Sequence, residues 1–76
     1  MYVVQVDNIQ SDAEQEKLIK LVGRDNDGGG CYIPTHTYDS SWNFKRLERA
    51  IVVFTKFCRV QNTGWQIQLI RDKFTS

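Results

Sequence analysis

Apolar and polar positions along the chain change their spacing several times, and each change marks an element. Tyr2 to Asp7, "YVVQVD", is β-branched and predicts a strand. Near the other end, "GWQIQLIRD" sets Trp65, Ile67 and Leu69 against Gln66 and Gln68. That alternation predicts a half-solvated antiparallel strand. In "SDAEQEKLIKLVG", Ser11 and Glu14 have capping-box spacing, acids crowd the first turn, and Gly23 stands where a helix would stop. The apolar residues Leu18, Ile19, Leu21 and Val22 bunch at one end. A helix over residues 11–22 is favoured, with a strand over "KLIKLV" as the alternative.

"GRDNDGGG" predicts a loop, since three consecutive glycines hold regular structure only at high entropic cost. "CYIPTHTY" looks extended, and Pro34 restricts it to an edge or bulged strand. Next comes the longest patterned segment, introduced by the N-cap types Asp39, Ser40 and Ser41. Its end is marked by "QNTG", where Asn62 or Gly64 suits a left-handed cap.

Wound as a helix at about 100° per residue, Phe44, Leu47, Ala50, Ile51, Phe54, Phe57 and Cys58 share an arc of roughly 140°. As a strand, neither face is clean and the segment is long. A helix over about 41–59 is therefore predicted, with that arc inward. The fold class follows: a small α+β domain with an antiparallel sheet of three or four strands packed by one long helix. The order is βαβαβ if residues 11–22 are helical, and ββαβ or close to it otherwise.

The same wheel groups Lys45, Arg49, Val52, Lys56 and Arg59 within about 80° on the outer side, flanked by Trp42, Arg46 and Val53. Lys45 and Arg46 near the helix start work against its dipole, where a helix shaped only for stability would carry acids. This basic ridge is the first candidate surface for binding a partner. The alternative is a solvated charged face with incidental valines.

Composition narrows the options. The 76 residues make a single domain, 1–76, with net stability on the order of 4–11 kcal/mol. Hydrophobic content of 41% and charge of 25% suit a globular chain rather than a disordered one. The longest wholly apolar run, Ala50 to Phe54, is far too short to span a membrane. "MYVVQVD" has neither a basic n-region nor a small-residue cleavage site, so a cytoplasmic protein is expected, with Cys31 and Cys58 as free thiols.

The net charge of +1 conceals a split. Residues 1–39 carry seven acids and three bases, a balance of −4, whereas residues 40–76 carry seven bases and two acids, a balance of +5. Asp7, Asp25, Asp27 and Asp39 form a second candidate surface, an acidic one able to oppose a basic channel.

Catalytic chemistry finds little footing. His36 is the single histidine, and Cys31, His36 and Cys58 offer at most three zinc ligands without close pairing. "DNDGGG" fails the calcium-loop pattern, which needs aspartate first and glutamate last, and fails the phosphate-loop pattern, which needs Lys and Ser/Thr after the glycine. No enzyme activity, metal or cofactor is expected. Direct nucleic-acid binding is the second reading, with the basic helix on phosphates and Tyr32, Tyr38 and Trp42 stacking on bases. A pI near 7.8 and an acidic first half weigh against it. Self-association is a third.

The leading expectation is a non-enzymatic protein that docks on a larger protein or nucleoprotein complex. Small phage and mobile-element products that inhibit host machinery, anti-CRISPR proteins among them, share this general make-up. The similarity is one of style, with no family motif behind it.

Overall fold

A computed structural model describes residues 1–26, 30–34, 38–60 and 64–71. The order is β1 (Tyr2–Asp7), α1 (Asp12–Val22), β2 (Asp25–Asn26), β3 (Gly30–Pro34), β4 (Ser40–Phe44), α2 (Leu47–Arg59) and β5 (Gln66–Arg71). The strands form one antiparallel sheet in the order β2-β3-β4-β1-β5. The fold is α+β, as the sequence predicts. Each helix joins two parallel strands that have an antiparallel strand between them, α1 linking β1 to β3 around β4 and α2 linking β4 to β5 around β1. Such split βαβ connections run right-handed, which puts both helices on one face of the sheet.

Strand periodicity sorts the side chains. Val4 pairs with Trp42 on one side and Leu69 on the other, and Val6 pairs with Ser40 and Ile67. These residues point to the helices, and Val4, Val6, Trp42 and Phe44 are fully buried there. Val3, Gln5 and Asp7 point the other way, in register with Asn43 and Ser41 of β4 and with Ile70, Gln68 and Gln66 of β5. The alternation predicted for β5 holds: Ile67 and Leu69 are half-buried between exposed glutamines. Pro34 lies opposite Ser40, past the reach of the two-residue β2, where no described strand pairs with the outer side of β3 and a missing N–H breaks no ladder bond among the described residues.

Residues 11–22 resolve to a helix, capped as the spacing predicts. Ser11 Oγ accepts from the Glu14 N–H at 3.3 Å, and Gly23 stops the helix at φ 82, its N–H bonded to the Ile19 carbonyl. The loop predicted over 23–30 is partly regular. Asp25 and Asn26 pair with Cys31 and Gly30, while the loop positions 27–29 lie outside the described residues.

The long helix differs most from expectation. It begins at Leu47, not near Ser41, because "SSWNF" alternates with period two and completes the sheet between β1 and β3. Its N-cap is Arg46, in extended conformation with no side-chain cap bond. Asp39 instead accepts from the backbone N–H of Asn8, a residue at φ 65.

The helix is also turned from the predicted phase. Ala50, Val53 and Phe57 are fully buried, whereas Leu47, Ile51 and Cys58, predicted inward, are exposed; Val53, predicted outward, is in the core. The cause is contact geometry. Ala50 lets the helix lie close to the sheet, and the Phe57 ring packs 4.9 Å from that of Trp42. With those two anchored, the apolar arc is wider than the stripe α2 can bury, and its Leu47 side is left over.

The rotated phase has a measurable consequence. Val53→Ser should lower stability by about 2 kcal/mol or more through cavity formation and an unpaired hydroxyl. Cys58→Ser should stay within about 0.5 kcal/mol. Urea denaturation followed by circular dichroism distinguishes this from the opposite ranking, which the predicted phase would give.

Candidate interaction surface

Four of the ridge residues lie on α2 itself: Arg49, Val52, Lys56 and Arg59. Val52, Lys56 and Arg59 are exposed, and Arg49 is half-buried on the same side. Lys45 and Arg46 are exposed too, but they occupy the turn between β4 and α2 rather than the helix. The basic residues are therefore largely exposed, over a shorter length of helix than the sequence predicts. Glu48 interrupts its charge, with its Oε1 4.0 Å from Arg46 Nη1 and both side chains largely in water. A pair so exposed contributes little to stability. In line with the dipole, Lys56 and Arg59 stand in the last turn.

Trp42 does not belong to the ridge. Its β4 position turns it into the layer between sheet and helices, where it is fully buried. Its indole N–H donates to the Gly23 carbonyl at 2.9 Å, and its ring lies 5.1 Å from Tyr32 as well as against Phe57. Helical reading placed it outward because that reading extended the helix through a strand.

The acidic candidates are not gathered together. Asp7 and Asp39 lie at the same end of the sheet, and both are engaged. Asp7 accepts from Gln5 Nε2 at 3.0 Å, and Asp39 from Asn8 N–H at 3.2 Å. Asp25 is in β2, at the opposite edge, and strand spacings put its backbone roughly 20 Å from that of Asp7. Asp27 lies outside the described residues.

The proposed stacking trio also fails to face solvent together. Tyr32 pairs with Trp42 on the helix side, with the Arg24 guanidinium 4.9 Å from its ring centre, and Tyr38 packs half-buried against the core. The open side of the sheet carries Gln, Asn, Ser, Asp, Val and Ile from β1, β4 and β5, and no aromatic side chain among its described residues. A sheet that binds single-stranded nucleic acid needs such rings as platforms.

Cys31 and Cys58 are free and exposed, on opposite sides of the sheet. His36 lies outside the described residues, so the cysteine–histidine and three-ligand combinations do too. Among the described residues no group of three or more His, Cys, Asp or Glu could hold a metal ion, and no helix is long and apolar enough to cross a membrane.

Polar clusters that do form serve the fold. Gln15 Nε2 donates to Tyr32 Oη at 3.1 Å and Ser40 Oγ at 3.3 Å, fastening α1 to β3 and β4. Glu14 Oε2 accepts from Gln10 N–H at 3.2 Å and from Trp65 Nε1 at 2.7 Å, tying the start of α1 to the approach to β5.

Sequence reasoning missed the exposed stripe Leu47, Ile51 and Cys58. The period-two pattern of "SSWNF" was the available signal, since a strand there removes Phe44 from the helical arc. Comparison with protein-family models, curated proteins and solved structures finds no match to this chain.

The Glu14 junction yields a direct check. Glu14→Ala removes an acceptor from a half-buried indole and should cost about 1.5–3 kcal/mol, the range for hydrogen bonds to charged groups. Denaturant titration by Trp fluorescence measures it, and a change under about 0.5 kcal/mol would show that the carboxylate is incidental.

Proposed function

We propose that this chain is a non-enzymatic binding protein that docks on a larger protein or complex through the outer side of α2. The observation that carries this reading is the exposure of Val52 between Lys56 and Arg59, with Lys45 and Arg46 at the head of the same helix. Core packing uses Ala50, Val53 and Phe57 and needs none of these side chains. Guanidinium groups beside an apolar centre suit a protein interface, where Arg anchors and a polar rim recur. The complementary partner surface is acidic with a shallow apolar patch. Nucleic acid is the less favoured partner, since Glu48 sits among the cations and the open sheet side has no stacking ring.

Two measurements test this. The protein should show no binding to a fluorescent 12-nucleotide strand at low salt, and binding with a steep negative salt slope would overturn the reading in favour of nucleic acid. In affinity capture from lysate with mass spectrometry, the Lys45→Glu/Lys56→Glu variant should recover a captured partner at least ten-fold less well than the wild type. Equal recovery of the same partner would move the docking surface elsewhere.

A further inference from the structure

Beyond the ridge, α2 has a second exposed apolar strip. Leu47, Ile51 and Cys58 are spaced four and seven residues apart, which keeps them on one side of the helix, with half-buried Phe54 between them and the core. Leu47 and Ile51 each remain 45% exposed. A right-handed β4–α2–β5 connection fixes where this side looks. It turns Val53 and Arg49 towards α1, and Leu47, Ile51 and Cys58 over the outer edge of β5.

Among the described residues, no strand pairs with the outer side of β5. At the other end of the sheet the edge strand is the two-residue β2. Here it is six residues, "QIQLIR", with no proline and no lysine; its one charge, Arg71, falls on the helix side at the last position, opposite Tyr2, and is exposed. Proline and charge are devices that normally keep an edge from pairing, and the uncharged, proline-free run Gln66 to Ile70 is a stretch able to accept another strand. Ile67 and Leu69 line its helix side and Ile70 is exposed on the other.

We propose that a second copy of this chain docks along β5 and the adjoining strip of α2, extending the sheet antiparallel across a two-fold axis. Two features point to self-pairing rather than to a foreign strand. The first is spacing. α2 lies over β5 and β1 more than over β4. With strands about 4.8 Å apart, pairing β5 with its copy sets the two α2 axes about 10 Å apart, close to the distance at which helices pack directly. The same operation thus pairs the edges and covers both strips.

The second feature is charge. Glu48 and Arg59 stand on the same solvent-side rim of the strip, at its two ends, about 16 Å apart along the helix. They are too far apart to meet within one chain. A two-fold axis runs the helices antiparallel, so Glu48 of each copy comes opposite Arg59 of the other, twice. An interface of this kind must be complementary to itself, and this arrangement is.

Sedimentation of the full chain alone from about 1 to 100 μM tests the proposal with no other protein present, so its outcome is independent of the docking reading above, although Arg59 belongs to both surfaces. The wild type should move from 8.9 kDa towards twice that mass. Ile51→Glu should weaken association at least ten-fold with an unchanged circular dichroism spectrum. Glu48→Arg and Arg59→Glu should each weaken it, and the double swap should restore it to within a few-fold of wild type. A strict monomer at 100 μM would overturn the proposal. So would a dimer indifferent to Ile51→Glu, or one that the double swap does not restore.

Discussion

The fold hangs on Trp42. Its ring lies between Tyr32 and Phe57, its backbone sits opposite Val4 at the centre of the sheet, and its indole N–H reaches the carbonyl of Gly23 at the end of α1. One side chain thus joins β3, β4, α1 and α2. The hydrogen bond matters as much as the area. A buried indole N–H left without an acceptor costs about 1–3 kcal/mol, a large share of what a chain of this size has to spare. Gly23 supplies the acceptor because its positive φ ends the helix there and turns the carbonyl away from the helical ladder. Every buried side-chain nitrogen and oxygen among the described residues likewise has a partner.

Fixing Phe57 against Trp42 sets the rotation of α2, and the rotation decides which residues face solvent. The helix has more apolar surface than one side of a small sheet can cover. Val53 and Phe57 are enclosed, while Leu47 and Ile51 remain at the β5 border, where no further strand or helix is described. The exposed strip and the basic ridge are therefore two products of one packing decision. They lie on either side of Glu48, and the partners proposed for them differ: an acidic protein surface for the ridge, a second copy of the chain for the strip.

Local signals were legible where the chain's own chemistry decides structure. β1 follows from its β-branched run, β5 from its alternation, and α1 from Ser11, Glu14 and Gly23. The ridge members Val52, Lys56 and Arg59 also emerged, because helical periodicity groups them whatever the helix packs on. Ser40 to Phe44 was misread for a definite reason. Phe44 and Leu47 have helical spacing, and Ser40 and Ser41 are good caps, so the helix pattern continues smoothly through residues that pair with β1 and β3. Pairing with strands distant in sequence overrides that local preference, and no window along the chain contains the partners.

What the sequence by itself determined is the class of fold, most of its elements, and the charge carried by the outer side of α2. Period two and period 3.6 are local properties, and they survive without knowledge of neighbours. Only the tertiary structure decided that Trp42 is core, that Val53 turns in while Leu47 and Ile51 turn out, and that Asp7 and Asp25 lie far apart. The physical reason is that the apolar residues Leu47, Ala50, Ile51, Val53, Phe54, Phe57 and Cys58 of α2 exceed what one contact can bury. Which part of it wins is settled by the ring of Phe57 meeting Trp42 between the helix and the sheet.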